Sequence, residues 1–88
     1  MDLMLATSKA GHDSKQVYVV LEDKDDYLLL ANGTTKTIAK PKKKKKIHLQ
    51  VIKKIPSEVL AEFNESGALD DIKIKRILKV YNRRNEDV

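Results

Sequence analysis

The 88-residue sequence predicts a mainly β domain, a small five-strand barrel over residues 1–55 joined to a C-terminal helical hairpin over 56–88 that packs on it as part of the same domain. Two observations predict it. Up to residue 55, short apolar runs recur with a period of two and are separated by turn-forming residues, as half-buried strands require. Beyond Pro56 the apolar spacing changes to three and four, the period of a helix.

A short first strand is expected at residues 3–7. Residues 16–22, QVYVVLE, set Val17, Val19 and Leu21 on one face and Tyr18, Val20 and Glu22 on the other, with the β-branched and aromatic types that strands favour. The polar turn Asp23-Lys24-Asp25-Asp26 leads to a second apolar run, YLLLA, at 27–31. Asn32-Gly33 supplies the residue types of a two-residue type I′ turn, in which both central positions need positive φ, and the β-branched segment 34–39 is its expected partner strand. After Pro41 and five lysines, Ile47, Leu49 and Val51 alternate with His48, Gln50 and Ile52, so one face of a fifth strand enters the core. Closing five such strands into a barrel removes edges that a chain this small cannot cover.

In the hairpin, Val59, Leu60 and Phe63 form the apolar stripe of the first helix, and Gly67 is placed to stop it in a left-handed conformation. Asp70 caps the next helix, whose Ile74, Ile77, Leu78 and Tyr81 face the barrel. The opposite side carries Lys73, Arg76, Lys79 and Arg83.

Composition excludes several function classes. Four aromatic residues and no Trp leave a core of Val, Ile and Leu, too small for a deep pocket, so no small-molecule substrate is expected. The absence of Cys excludes disulfides, thiolate zinc sites, iron–sulfur clusters and thiol catalysis, and points to the cytoplasm. Asp2 stands where a secretory leader needs positive charge, and no apolar run approaches the eighteen residues of a membrane span. His12, Asp13 and Ser14 are residue types of a catalytic triad, yet sequence neighbours do not converge on one point. His12 and His48 lack a third and fourth metal ligand. No enzyme activity, metal or cofactor is expected.

Charge is the informative quantity. The net +5 resolves into −3 over residues 1–26, +9 over 27–57 and −1 over the remainder. The middle segment holds nine Lys and neither Asp nor Glu, a positive field that is either a solvated face or the complement of a polyanion.

Several pieces stand in a telling order: the loop Ser8-Lys9-Ala10-Gly11-His12-Asp13 between two strands, Asn32-Gly33 at a turn, and Pro41-Lys42-Lys43-Lys44 running to His48-Leu49. The segments Leu69-Asp70-Asp71-Ile72-Lys73 and Ile77-Leu78-Lys79-Val80-Tyr81 close the series. In this order they resemble the small bacterial KOW-domain RNA-binding proteins, relatives of the KOW-type large-subunit ribosomal proteins of archaea and eukaryotes. The resemblance implies an SH3-like barrel of the KOW type whose first loop and basic strand surface contact RNA, with ribosomal RNA or the large ribosomal subunit as the partner. The first loop departs from the family's Gly-Arg-Asp-Lys-Gly, reading Gly11-His12-Asp13-Ser14-Lys15, which shifts the expected binding toward the lysine run.

The expected function is therefore monomeric, non-enzymatic RNA binding in translation. Lys36, Lys40, Lys42, Lys43, Lys44, Lys45, Lys46, Lys53 and Lys54 are expected to grip phosphates, with Lys9, His12, Lys15 and His48 as further contacts. Lysine meets phosphate as a point charge whereas arginine's planar fork reads guanine, so a segment with Lys and no Arg predicts backbone binding with little base readout. Tyr18 and Tyr27 are candidates for base stacking. The alternative from another class is an SH3-like adaptor binding an acidic protein. A DNA-binding or membrane-surface protein acting by charge alone is a third.

Overall fold

The computed structural model describes residues 3–9, 16–65 and 67–86, with backbone alone for 84–86. The elements in order are β1 (Leu5–Ser8), β2 (Val17–Asp23), β3 (Tyr27–Ala31), β4 (Lys42–Lys45), β5 (Leu49–Ile52), α1 (Ser57–Asn64) and α2 (Asp71–Glu86), with a 3-10 turn, Lys46–His48, between β4 and β5. All strands pair antiparallel in one sheet, ordered β4-β3-β2-β1-β5. A mainly β chain with two helices after Pro56 is what the change of apolar period predicts. The radius of gyration, 12.2 Å, matches the roughly 12 Å of a compact chain of this length.

Hydrogen-bonded closure into a barrel is not seen: β4 and β5 are the two edges of the sheet and do not pair with each other. The sheet is open but strongly curled. Across a flat sheet its edges would lie about 19 Å apart, yet only the three residues of the 3-10 turn join them, and that connection spans at most about 15 Å between Cα atoms. Lys44 Nζ on β4 likewise reaches Ser8 Oγ on β1 at 2.7 Å, across three strand intervals that would measure about 14 Å if flat.

Curling gives the sheet two buried faces. On the outer face Leu5, Val19 and Ala31 pack with Leu3 and with Val59, Ile74, Ile77 and Leu78 of the helices. On the inner face Ala6, Tyr18, Val20, Leu28, Leu30 and Leu49 form a second cluster without a helical residue. The alternation expected of QVYVVLE is present, since Val17, Val19 and Leu21 pack outward and Tyr18 and Val20 inward, despite a register shift between Val20 and Glu22.

The fourth strand lies elsewhere than expected. Segment 34–39 is not a strand; the partner of β3 is the lysine run, with Tyr27, Leu28, Leu29 and Leu30 opposite Lys45, Lys44, Lys43 and Lys42. Asn32 is the cause. Its Oδ1 accepts the N–H groups of Thr34 at 3.0 Å and Lys36 at 2.9 Å, and its own N–H and that of Gly33 both donate to the Lys36 carbonyl at 2.8 and 3.0 Å. Those bonds wind a broad loop in place of a tight hairpin. Gly33 alone of the expected pair has positive φ, +81°, so the turn is not type I′.

The loop docks on α2. Asp71 Oδ1 accepts the Ile38 N–H at 3.0 Å, and Gly33 approaches so closely that a Cβ there would lie 2.5 Å from the Asp71 carbonyl oxygen. Asp70 caps α2 as expected, its Oδ1 accepting the Lys73 N–H at 2.8 Å. Three apolar residues differ from expectation: Ile47 sits in the 3-10 turn and is 72% exposed, while Leu60 and Val51 are exposed, 37% each. Helix α1 stops at Asn64 with Glu65 extended, and Gly67, with φ of +113°, lies farther along the connection than the position that ends a helix.

Candidate nucleic-acid interface

Lysine is a poor strand former, and consecutive like charges oppose pairing. Such a run is tolerated at a sheet edge, where ammonium groups reach water and also discourage pairing with another chain. The two-residue period then divides it. Lys42 and Lys44 stand opposite Leu30 and Leu28 and turn into the curl, half-buried; Lys43 and Lys45 point the other way and are exposed.

The inward pair is held by the fold. Lys42 Nζ lies 5.4 Å from the centroid of Tyr18, and Lys44 Nζ donates to the Ser8 hydroxyl. Lys43 Nζ sits 4.3 Å from the Tyr27 ring centroid, a cation–π geometry at the surface. Lys46 pairs with Asp23 at 2.6 Å. Both partners of that pair are about half exposed, so it contributes roughly 0–1 kcal/mol and a phosphate can replace the carboxylate. The neighbouring pair, Lys24 to Glu22 at 2.6 Å, raises the Lys24 pKa through its hydrogen bond and then through the carboxylate charge.

Around this strand the structure gathers some of the expected residues and separates others. The Lys9 N–H donates to the His48 carbonyl at 3.0 Å, bringing the end of β1 against the 3-10 turn, with both side chains exposed. Lys40 is exposed just before β4, and its N–H is held by the Thr37 carbonyl and hydroxyl, each at 3.1 Å. Lys36 is half-buried at the closure of the Asn32 loop. Lys53 and Lys54 are exposed beyond Ile52, beside Leu3, Ile55 and Pro56. Because β5 pairs Leu49 with Ser8 and Ile52 with Leu5, they lie at the opposite end of β1 from Lys9. His12 and Lys15 lie outside the described residues.

The two tyrosines separate. Tyr18 is 2% exposed, its hydroxyl donates to Gln16 Oε1 at 2.9 Å, and it has no free face for a base. It packs inside the curl and not beneath the helices. Tyr27 is half-buried beneath Lys43.

A further basic surface follows from α2. Residues 72–85 contain six Lys or Arg and no acid, a signal hidden in the net −1 of the C-terminal third by acids on either side. The structure divides five of these cations between two flanks. Lys73 and Arg76 line a surface with Glu62, Glu65 and Asp70, and Lys73 Nζ also donates to the Glu65 carbonyl at 2.8 Å and lies 5.6 Å from the Phe63 centroid. Lys75, Lys79 and Arg83 instead line a groove against the Asn32 loop, with no acid in its walls among the described residues.

Among the described residues, no three His, Cys, Asp or Glu side chains gather to hold a metal ion. No helix among them is long and apolar enough to cross a membrane. Comparison of the sequence with protein-family models and with curated proteins finds no match to either.

Proposed function

We propose that the chain is a non-catalytic RNA-binding module, an SH3-like domain of the KOW type that grips the sugar-phosphate framework of structured RNA, with ribosomal RNA or the large ribosomal subunit as its target class. The observation that carries this reading is the acid-free segment 27–57. Its exposed cations Lys40, Lys43 and Lys45 line one sheet edge, and Lys9 lies against His48, the last residue of the 3-10 turn that follows. The curl of the sheet, and a single short turn carrying the chain from one edge to the other, support the SH3-like assignment.

Lysines on a sheet edge act as positioned point charges, so recognition rests on phosphate placement and helix shape rather than on base identity. With roughly four to six phosphates neutralised, log K falls against log salt with a slope of about −3 to −5.

The structure also sharpens the test. Replacing the whole lysine run removes Lys42 and Lys44 from inside the curl and confuses folding with binding. The triple variant Lys40→Gln, Lys43→Gln, Lys45→Gln changes exposed positions alone. It should keep the wild-type melting temperature, lower affinity for structured RNA about tenfold at 100 mM salt, and make the salt slope about two to three units shallower. Filter binding with structured RNA, duplex DNA and a polyglutamate peptide reads this directly. Equal binding of every polyanion by the wild type would remove the RNA-specific reading, and tight binding of the peptide alone would favour the adaptor.

A further inference from the structure

We propose that the groove between α2 and the Asn32 loop is a second phosphate-binding track, which takes the backbone of the same RNA strand system as the lysine edge; this rests on the RNA-binding reading above. One wall is α2, where Lys75, Lys79 and Arg83 recur every four residues and so present three cations along one flank. Successive cations are about 6 Å apart along the helix axis, the same order as neighbouring phosphates on one strand. The other wall is formed by Gln16, Thr34 and Thr35.

Two of the three polar side chains of that second wall, Gln16 and Thr35, are biased toward donation, whereas Thr34 spends its hydroxyl proton on Asn32 Oδ1 at 3.1 Å. Gln16 Oε1 is occupied by the Tyr18 hydroxyl at 2.9 Å, which leaves the amide N–H groups as the free end of the side chain. Thr35 Oγ1 accepts from Asn32 Nδ2 at 3.0 Å, which leaves its hydroxyl proton available. A groove with three cations on one side, the Gln16 and Thr35 donors on the other and no carboxylate among its described lining residues matches an anion.

Its walls are also held in place before any ligand arrives. The Ile38 N–H is bound to Asp71, and Gly33 is in contact with the first turn of α2, so the loop is fixed against the helix that carries the cations. The other flank of α2 is the internal contrast. There Lys73 and Arg76 are accompanied by Glu62, Glu65 and Asp70, which offset their charge.

Two variants matched in chemistry test the assignment, each losing one Lys and one Arg from α2. The groove variant is Lys79→Gln with Arg83→Gln; the flank variant is Lys73→Gln with Arg76→Gln. In filter binding with structured RNA across a salt series, the groove variant should bind about tenfold more weakly at 100 mM salt, with a slope shallower by about 1.5 to 2. The flank variant should stay within about threefold of wild type. A third variant, Lys79→Arg with Arg83→Lys, keeps both charges and should bind like wild type, which separates lost charge from altered folding. If wild-type protein binds no RNA, the functional reading fails and this one with it. If wild type binds and the groove variant matches either wild type or the flank variant, the groove assignment alone is overturned.

Discussion

The two faces of the sheet bury apolar side chains by different means. On the outer face Ile74, Ile77, Leu78 and Val59 arrive on helices and cover Leu5, Val19 and Ala31. On the inner face the sheet curls over itself, and the half-buried Lys42 and Lys44 stand in the same row as Leu30 and Leu28. A lysine can occupy such a position because its four-carbon stem is apolar while its ammonium reaches a ring, a hydroxyl or water. Alternate residues of one lysine run therefore have different roles. Lys42 and Lys44 help to close a core, and Lys43 and Lys45 face outward, where a ligand can meet them.

Truncating a buried side chain on each face tests the contrast most severely. Ile77 and Leu30 are both fully buried, one on each face. Ile77→Ala and Leu30→Ala should each destabilise the protein by about 2–5 kcal/mol, the range for large-to-small substitution at closed core sites. Urea unfolding measures both. A loss below about 1 kcal/mol for Leu30→Ala would mean that the curl does not enclose a core, and the equivalence of the faces would be gone.

A smaller effect is expected where the Asn32 loop meets the helices. Gly33 holds φ at +81°, and a Cβ there would lie 2.5 Å from the Asp71 carbonyl oxygen and 2.9 Å from Lys75 Cγ. Gly33→Ala must both strain the backbone and lift the loop from α2, at about 1–3 kcal/mol. Hydrogen exchange at the Ile38 amide, which donates to Asp71, should accelerate in that variant more than exchange within β2. Uniform acceleration would place the damage in global stability and not in docking. Smaller again is the difference between adjacent lysines: Lys44→Ala should cost about 1–2 kcal/mol through its lost stem and its bond to Ser8, and Lys45→Ala should stay within about 0.5. Equal losses would show that the alternation has no structural meaning.

The same contrast explains what could be read from the sequence. The outer face was legible because its signals are periodic and apolar: Val17, Val19 and Leu21 alternate, and Ile74, Ile77 and Leu78 recur at helical spacing. Asp70 was legible as a cap because its chemistry is local. The inner face was not legible in full, since its edge strand consists of lysines whose burial depends on sheet curvature, a property set by all five strands together. Thr34, Thr35, Thr37 and Ile38 imitate a strand in composition, but the Asn32 side chain engages the backbone there and wins. Ile47 continued an apparent alternation with Leu49 and Val51 that the 3-10 turn interrupts. For the candidate site, the lysine concentration was visible as charge, whereas its division into held and exposed cations was not. The groove cations of α2 were masked because net charge over a long segment averages in acids such as Glu62, Glu65 and Asp70, which the fold places on the other flank.

The weakest effect belongs to the turn joining β2 and β3, outside both cores. Lys24 is part-exposed at the surface, and its hydrogen bond to Glu22, followed by the Glu22 charge, raises its pKa above the ordinary lysine value. A lysine whose pKa is higher in the folded state contributes stability that is complete below the unfolded value and disappears as pH rises through the folded one. The contribution is thus fully present at neutral pH and lost only in strongly alkaline solution, through the window between the ordinary lysine value and the raised one. Glu22→Gln removes the carboxylate charge and should move Lys24 back toward the ordinary value in an NMR titration of its side chain, while the melting temperature at pH 7 stays unchanged within error. A Lys24 titration unaffected by the substitution would show that this surface pair does not persist in solution. The Lys46 to Asp23 pair, of the same length and similar exposure, would then be equally free to release its lysine to a phosphate.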